Sequence, residues 1–413
     1  MSAKINDQAL LSDSENDLLP LNASENPKTY SLLFFLLGNS SLLGFNIIIN
    51  AIDIYIKLTG NGNIGTILNR FYNFPCSITS LLLCVFKPKQ YKYLLITSLT
   101  MLILLLCGMP MALLISMSDK AVYWVTMILS AFVGIFSACI FSCSFSLASQ
   151  VSPESSGFVS SGNGCCGVLA AVLRIITKAA VKDESKENTA SSIYFFLAAL
   201  IVLGTLIYLL FIMKDPDVKS KMVPTNDNNE ANNSGSSMIT IKCIWYLWLA
   251  ECLNYMITLS LFPGYVSQTK QTKPWFTWTP VIVTAIFCVF DWVGRYLPAR
   301  FIFLKETNAW IPIVFRLLFY LIFMISLQGH AKLGEPYWTY FWMIPFAVSN
   351  GYFGTVAIIF GSNHSKLSPE GKRFAGFLMS FAVNAGILLA MCLTFAIPKP
   401  NLPLMRGNSD TVR

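Results

Sequence analysis

Two oppositely charged residues, Asp291 and Arg295, interrupt a long apolar run in the second half of the chain. Their spacing of four residues places them one turn apart on the same face of a helix. A lone charge at the centre of a membrane helix costs at least ~2.5–3.5 kcal/mol, so such groups face a protein interior or an aqueous pathway. The carboxylate accepts hydrogen bonds and the guanidinium donates them, which suits a solute with hydroxyl groups. A pair that only locks the fold is the alternative interpretation.

The composition of the chain indicates a membrane protein. Hydrophobic residues make up 54% and charged residues 12% of the 413 residues, and that charged fraction is about half the value for soluble domains. Mean hydropathy is +0.58. The net charge of +8 is spread over short loops without a basic block, so no nucleic-acid partner is expected. With 11 cysteines but no CxxC pair, and 2 histidines, neither a metal site nor a cofactor is expected.

Eleven apolar segments are long enough to cross a bilayer, because a helical crossing takes ~20 residues. The sequence therefore predicts an all-α integral membrane protein with eleven transmembrane helices. The predicted spans lie at approximately 30–56, 63–86, 93–117, 121–150, 157–180, 191–213, 238–266, 279–301, 309–328, 337–362 and 374–397.

One long polar segment inside the chain, residues 214–237, divides these spans six to five. Its asparagine-rich composition is typical of a flexible linker, which we expect in the cytosol. The predicted organisation is a cytosolic tail at 1–29, a six-helix bundle at 30–213, the linker, a five-helix bundle at 238–397 and a short tail at 398–413. A two-bundle transporter is the architecture that this division favours.

The basic residues are distributed unevenly between the two sides that eleven spans define. The positive-inside rule predicts a cytosolic N-terminus and, for an odd number of spans, an external C-terminus. The glycosylation sequons at Asn232 and Asn363 then lie in cytosolic loops and are expected to be unmodified. The basic loops predicted on the cytosolic side contain Lys87, Lys89 and Lys92; Lys214, Lys219 and Lys221; Arg300 and Lys305; and Lys366, Lys372 and Arg373.

Four further polar residues inside the predicted spans are candidates for structural or gating roles: Asn163, Arg174, Arg316 and Asn350. The two arginines suit either snorkelling at helix ends or ties between helices. The small residues at 162, 164 and 167 favour close helix packing over ligand binding. The sequence motifs of serine hydrolases, zinc proteases and P-loop enzymes do not occur, so we do not expect an enzyme.

Several segments, taken in order, resemble the equilibrative nucleoside transporter family. The resemblance covers most of residues 30–397, and the ending at 398–403 looks more like that of protozoan members. The matching motifs are Phe34-Phe35-Leu36-Leu37-Gly38 with Asn46 in the first span, Ser161-Gly162-Asn163 with Gly164 and Gly167 in the fifth, Leu261-Phe262-Pro263 in the seventh, Phe290-Asp291-Trp292-Val293-Gly294-Arg295 in the eighth, Arg316-Leu317 in the ninth and Phe346-Ala347-Val348-Ser349-Asn350-Gly351-Tyr352 in the tenth.

The resemblance implies a major-facilitator-like 6+5 fold that carries nucleosides, and in some members nucleobases, down their gradient by alternating access. In the family the eighth-helix Asp and Arg contact the ribose, a role that would fall to Asp291 and Arg295. Transport is expected to be uncoupled from protons, since Arg295 compensates the charge of Asp291. Further substrate-binding positions implied by the same motifs are Leu42, Phe45, Asn46, Ile49, Phe262, Cys288 and Ile387.

The sequence departs from the family pattern where the nucleobase would bind. Phe45 replaces a tryptophan, Cys288 stands where a polar residue is usual, and Phe141 or Ser142 occupies the place of a glutamine in the fourth span. Amide partners of a base are thereby lost, and such partners provide much of the discrimination at a polar site. Two alternatives follow: a major-facilitator-type carrier of another small polar solute, and a non-transporting membrane protein.

The remaining expectations concern location and partners. The plasma membrane is the expected location, and two acidic dileucine patterns, at 7–11 and 15–19, make an endolysosomal membrane the alternative. The expected partners are a nucleoside or nucleobase and the surrounding lipid. The sequence does not predict an oligomeric state.

Overall fold

The computed structural model describes residues 27–60, 64–114, 118–179, 187–214, 233–263, 265–266, 279–327 and 336–394. The regular structure of these residues is helical, which confirms the expected all-α class. The helices are α1 (Pro27–Asn50), α2 (Ile52–Thr59), α3 (Ile64–Phe86), α4 (Tyr91–Leu114), α5 (Asp119–Val151), α6 (Pro153–Ala179), α7 (Glu187–Ile212), α8 (Asn233–Leu261), α9 (Thr279–Tyr296), α10 (Ile311–Phe315), α11 (Leu318–Leu327), α12 (Pro336–Ser362) and α13 (Pro369–Leu393).

Several features predicted from the sequence lie outside the described residues. They are the N-terminal tail with its dileucine patterns, most of the linker including Asn232, and the C-terminal segment that resembles protozoan relatives. Asn363 is described, and its side chain is buried. Its Nδ2 atom donates to Ser156 Oγ at 3.3 Å and to Ile359 O at 3.1 Å, so the nitrogen that would carry a glycan is engaged inside the protein.

Two of the predicted spans are interrupted helices. The first span breaks at Ala51, and α2 ends at Gly60, whose φ of 63° is a left-handed conformation that glycine adopts at little cost. The ninth span divides into α10 and α11. At that junction the N–H groups of Arg316 and Leu317 donate to Ile313 O and Val314 O, three residues back, which is the tighter hydrogen bonding of a 3-10 turn.

Nine helical segments of the described chain are long and apolar enough to cross a membrane. Helices α3 and α8 form at the positions of the second and seventh predicted spans but do not belong to these nine, so the count of eleven is not confirmed. Their polar content explains the difference: α3 contains Asn69, Arg70 and Asn73, and α8 contains Glu251 and Asn254. Helix α8 also ends at Leu261, before the cis peptide bond of Phe262–Pro263 and earlier than predicted.

Two helix pairs, α1 with α6 and α9 with α12, are packed by reciprocal glycines. A Cβ atom at Gly38 would lie 2.0 Å from Val159 O, and one at Gly162 would lie 2.0 Å from Phe35 O. In the second pair, a Cβ atom at Gly294 would lie 2.4 Å from Val348 O, and one at Gly351 would lie 2.1 Å from Asp291 O. Only glycine allows backbones to approach this closely. Helix α6 also packs against α9 and α12, which brings the two pairs together.

Hydrogen bonds join the first and second halves of the chain at the end where several basic loops meet. Ser149 Oγ donates to Lys372 O at 2.9 Å, and Ser146 Oγ donates to Arg373 O at 2.8 Å. Lys87 Nζ donates to Ser237 Oγ at 2.5 Å and lies 4.2 Å from the centre of the Phe374 ring. Partial burial, and then the nearby Arg373, lower the pKa of Lys87. We call this region the basic end.

Candidate functional site

The charged pair Asp291 and Arg295 lies on α9, where the helix contacts α6 and α12. Arg295 Nε donates to Asp291 Oδ2 at 2.7 Å, and both residues are buried. The predicted separation of one helical turn therefore forms a direct ion pair. In a low-dielectric interior such a pair retains its charges only if the remaining polar atoms find partners.

Neutral groups from three other helices complete this pair. Asn350 Nδ2, on α12, donates to Asp291 Oδ1 at 2.6 Å. Arg295 Nη1 donates to the hydroxyl of Tyr255, on α8, at 3.1 Å and to Ser160 Oγ, on α6, at 3.4 Å. Arg295 Nη2 donates no hydrogen bond to the described residues, so this nitrogen remains available to an uncharged ligand that offers hydroxyl or carbonyl oxygens.

The guanidinium of Arg316 ties three elements together without a carboxylate partner. Its Nε donates to Ser349 Oγ at 3.1 Å, and its Nη2 donates to Thr258 Oγ1 at 2.9 Å and to Phe346 O at 3.2 Å. Its Nη1 donates to the backbone and side-chain oxygens of Asn254. All five N–H groups of the guanidinium are thereby engaged. The structure favours the tie between helices over snorkelling, because the side chain is 2% exposed.

One face of α1 is only half-buried. Leu42, Phe45, Asn46 and Ile49 follow the i, i+3, i+4, i+7 spacing of a single helix face, and each is half-buried. The residues between them that point to other sides are buried: Leu43, Ile47 and Ile48. Four positions that were expected to bind substrate thus share one accessible stripe.

Between this stripe of α1 and the charged pair on α9 lie the thiols of Cys166 and Cys288 and the backbone of Gly167. Asn46 Nδ2 donates to Cys166 Sγ at 3.1 Å. A Cβ atom at Gly167 would lie 3.5 Å from Cys288 Sγ and 3.6 Å from Asn46 Oδ1. Cys288 is half-buried and lies three residues before Asp291 on α9. Asn46 and Cys288 therefore belong to the same neighbourhood as the ion pair.

Aromatic rings lie on both sides of this neighbourhood. The ring of Phe45 contacts that of Tyr72, with centroids 4.8 Å apart. The ring of Phe262 stacks on that of Phe287 at 4.1 Å, and Phe346 continues this cluster to the guanidinium of Arg316, 5.2 Å from its ring centre. Phe262 is buried within the cluster.

Three other predicted residues, Ile387, Asn163 and Arg174, form no hydrogen bond with the ion pair within the described part of the chain. Ile387 is a half-buried residue of α13. Asn163 Oδ1 accepts a hydrogen bond from Ser41 Oγ at 2.8 Å, which ties α6 to α1. Arg174 lies ten residues after Gly164, or about 15 Å along the helix, and its Nη2 forms an ion pair with Asp53 at 2.8 Å. Arg174 thus serves as a tie between α6 and α2.

Several contributors to this site were not singled out from the sequence. Tyr255 and Ser160 bind Arg295, while Asn254 and Thr258 bind Arg316. Glu251 lies one turn before Asn254 and Tyr255 on α8 and is fully buried. It satisfies the criterion that identified Asp291, since it is an acidic residue within a predicted span. The spacing 251, 254, 255 and 258 also marks one helix face.

The described residues contain no group of three or more His, Cys, Asp or Glu side chains that could hold a metal ion. The free cysteines are spread over many helices, and six of the eleven are buried. The arrangement offers hydrogen-bond donors and acceptors around one ion pair, with an apolar and aromatic wall beside it. Apolar walls with a few convergent polar groups are typical of sites for small polar molecules.

The fold is that of major facilitator superfamily carriers. The proton:xylose symporter XylE bound to 6-bromo-6-deoxy-D-glucose superposes with a TM-score of 0.65 at 13% identity, covering 89% of this chain and 87% of that chain. The transporter FucP in the outward conformation superposes with a TM-score of 0.56 at 12% identity, covering 89% of this chain and 98% of that chain. The class that this fold defines is that of helical, multi-pass integral membrane proteins.

Within that class, the chain belongs to the nucleoside transporter family, whose model matches residues 125–224 and 213–398. Equilibrative nucleoside transporter 1 of Rattus norvegicus is 25% identical, over 90% of this chain and 97% of the relative. Equilibrative nucleoside transporter 2 of Homo sapiens is 24% identical, over 88% and 95%. The expected family membership is confirmed, and both the family and the fold are those of transporters and not of enzymes.

Proposed function

We propose that this protein is a facilitative carrier of nucleosides, and of some nucleobases, which works by alternating access to a site around Asp291 and Arg295. The family and the names of the relatives support nucleosides as the substrate class. The ribose hydroxyls donate to Asp291 and accept from Arg295, and the base lies against the stripe of Leu42, Phe45, Asn46 and Ile49.

The single observation that carries this proposal is that the ion pair of Asp291 and Arg295 keeps hydrogen-bonding capacity that the protein does not use. Its carboxylate accepts one bond at each oxygen, from Arg295 and Asn350, so each oxygen keeps further acceptor capacity. Arg295 Nη2 keeps donor capacity among the described residues. An ion pair that served only to stabilise the fold would be more stable with every polar atom hydrogen-bonded within the protein, as the guanidinium of Arg316 is.

The transport cycle that we propose moves residues 30–213 against residues 238–397 as two bundles of six and five spans. Helices α3 and α8 complete the eleven crossings, with their polar faces turned to the protein interior rather than to lipid. Buried polar residues on both helices support this, such as Asn73 and Ser80 on α3 and Glu251 and Asn254 on α8. Rocking of two bundles about a central site is a common mode of such carriers.

The orientation and location that we propose follow the charge distribution. The basic end lies in the cytosol together with the N-terminus, and the C-terminus lies outside. The carrier operates in the plasma membrane, where an equilibrative route gives access to external nucleosides, with an endolysosomal membrane as the alternative. No cofactor, metal or nucleic acid takes part.

The test is uptake of radiolabelled adenosine in cells that lack their own nucleoside carriers, with uridine and hypoxanthine as competitors. We expect saturable uptake by the unaltered protein and uptake at background level for Asp291→Ala and Arg295→Ala. Arg300→Ala is the matched control, because Arg300 is an exposed residue five positions further along. Surface expression is measured for each variant, so that loss of transport is separated from loss of protein.

The results separate this proposal from two others. Uptake that survives Asp291→Ala in a well-expressed variant contradicts the role of the pair. Competition by hypoxanthine supports nucleobase transport, and its absence restricts the substrates to nucleosides.

A carrier of another small polar solute is the second candidate. One observation favours it: Ser142, one of the two residues in the place of the family's glutamine, has its hydroxyl engaged by Ser380 at 2.9 Å and lies 3.3 Å from Ser80 Oγ. The other, Phe141, is an apolar buried ring. Neither offers a base an amide. Saturable uptake of a sugar or an amine, without uptake of adenosine, would favour this candidate.

A non-transporting membrane protein is the third candidate, with the ion pair as a lock. It predicts no flux of any solute tested and a stable variant in which both Asp291 and Arg295 are apolar. Buried ion pairs that act only as locks are often replaceable in this way.

A further inference from the structure

Glu251 is a buried carboxyl group on α8 to which the transport site assigns no role. The residue is 0% exposed, and among the described residues neither of its carboxyl oxygens has a hydrogen-bond partner. A Cβ atom at Gly354, on α12, would lie 3.4 Å from each of the two oxygens. The carboxyl group therefore lies against the backbone of α12, in a space that the glycine leaves.

Neither of the nearby cations, Arg295 and Arg316, donates a hydrogen bond to this carboxyl group. The five N–H groups of Arg316 bind Asn254, Thr258, Ser349 and Phe346, and the charge of Arg295 is paired with Asp291. Attraction between point charges without a hydrogen bond does not replace the hydration that a fully buried carboxylate loses. A bound proton removes the charge and with it most of this cost.

Charged or titratable groups face Glu251 from its own helix and from those packed against it. Arg295 comes from α9 and Arg316 from the end of α10, while Cys252 and Tyr255 lie on α8. Asp291, on α9, offsets the charge of Arg295. On α13, Gly386 and Ala382 meet α8 around Cys252; on α12, Gly354 lies beside the carboxyl group and Asn350 O accepts from Asn254 of α8. The hydroxyl of Tyr320, on α11, faces Ser260 instead.

We propose that Glu251 is a proton-binding site of the carrier, occupied in this conformation, and that transport slows when the proton is lost. The inference rests on the proposed function, because it concerns the rate of the same cycle. When the halves of the chain move and water reaches α8, the carboxyl group equilibrates its proton with the solvent. Return to the dry conformation, in which Glu251 is buried away from water, then requires a proton to be bound to its carboxyl group.

The sign of the pH dependence follows from this requirement. The neutral acid is the form that the dry conformation holds, so raising the pH depletes it. Transport is therefore fastest at acid pH and falls as the pH rises, by at most about tenfold per pH unit for one required proton. Adenosine remains uncharged between about pH 5.5 and pH 8, so the substrate itself contributes no such change.

The experiment uses the purified full chain in liposomes with the same pH on both sides, so that no proton gradient drives transport. Initial rates of adenosine uptake are measured between about pH 5.5 and pH 8. We expect a falling profile for the unaltered protein and a flat profile for Glu251→Gln, at the rate that the unaltered protein shows in acid. Glu251→Asp should keep a falling profile. Glu370→Gln, which changes an exposed carboxyl at the start of α13, should behave as the unaltered protein does.

Three transport results would overturn the proposal: a flat profile for the unaltered protein, a falling profile that persists in Glu251→Gln, or a well-expressed Glu251→Gln without uptake at any pH. The last result would mean that the negative charge of Glu251, and not its proton, is needed. A complete lack of adenosine uptake by the unaltered protein would instead contradict the proposed function.

A second measurement reads the proton directly and does not depend on transport. Infrared spectroscopy of the detergent-solubilised protein at neutral pH should show the carbonyl band of a protonated carboxyl group. The band should disappear in Glu251→Gln, shift in Glu251→Asp and persist in Glu370→Gln. If the unaltered protein lacks the band, Glu251 carries no proton and the proposal is wrong, whatever the uptake experiment gives.

Discussion

The helix pairs α1–α6 and α9–α12 are packed in the same way but carry different chemistry. In both pairs, glycines bring the backbones into contact, through Gly38 and Gly162 in one and Gly294 and Gly351 in the other. In both, an asparagine next to such a glycine binds a side chain across the contact. Asn163 accepts from the neutral Ser41, whereas Asn350 donates to the charged Asp291.

This difference assigns separate tasks to the two halves of the described chain. The first half supplies hydroxyl, thiol and aromatic side chains around the half-buried stripe of α1. The second half supplies four buried residues with carboxyl or guanidinium groups, Glu251, Asp291, Arg295 and Arg316. In the first half, the buried Arg174 is instead paired with Asp53, whose side chain is 37% exposed. Close packing is thus shared, while charge is concentrated beside α9.

The largest effect on stability should come from breaking the charged contact of the second pair. Asp291→Ala leaves the buried Arg295 without a counter-charge and Asn350 without an acceptor, so we expect a loss of about 3–5 kcal/mol in the free energy of unfolding. The corresponding change in the first pair, Ser41→Ala, removes one neutral hydrogen bond and should cost about 0.5–1.5 kcal/mol. Chemical unfolding in detergent measures both. Equal losses would show that charge does not distinguish the pairs.

An intermediate effect should follow from adding one methyl group to either glycine contact. Gly162→Ala and Gly351→Ala each place a Cβ atom against a carbonyl oxygen, so we expect each to lose about 1–3 kcal/mol and to transport more slowly. Gly108→Ala and Gly204→Ala are matched controls, because a Cβ atom at either position meets nothing within 4 Å. Thermal unfolding and adenosine uptake check all four variants. A tolerant Gly162→Ala beside a damaged Gly351→Ala would disprove the shared packing.

The smallest effect should come from the ion pair of the first half. In Arg174→Met the partner Asp53, being more than a third exposed, can be hydrated, so we expect a loss of about 1 kcal/mol or less. Adenosine uptake should be nearly unchanged, since Arg174 lies about 15 Å along α6 from Gly164. Unfolding and uptake of this variant are compared with those of Asp291→Ala. A large loss of uptake would move Arg174 into the transport machinery.

The sequence was most informative where a residue type contradicted its surroundings. Asp291 and Arg295 stand out because charges are rare in apolar runs, and their spacing predicts the ion pair that forms. Glu251 satisfied the same criterion and was not singled out. The bonding of Arg316 could not be predicted, because its acceptors come from α8 and α12 and depend on how helices distant in sequence are placed.

Helix boundaries were predicted less well than helix positions. The segment at 30–56 contains a break at Ala51, and the segment at 309–328 breaks at Arg316, neither of which hydropathy detects. The end of α8 was placed several residues too late, since apolar residues continue into Phe262 and Tyr265 after the helix has ended. Average hydropathy does not record where backbone hydrogen bonding changes.

Weak hydrogen bonds form part of the contact between the two halves of the chain at the basic end. Two of its contacts between the halves, from Ser146 and Ser149, are hydrogen bonds between uncharged groups. At about 0.5–1.5 kcal/mol each, these two bonds together contribute a free energy of only a few times RT. In a carrier that works as proposed, thermal motion alone would often break these bonds. A bound solute would then need to shift the equilibrium between conformations only slightly. That is the behaviour required of a carrier without an energy source, through which the substrate moves in whichever direction its concentration gradient dictates.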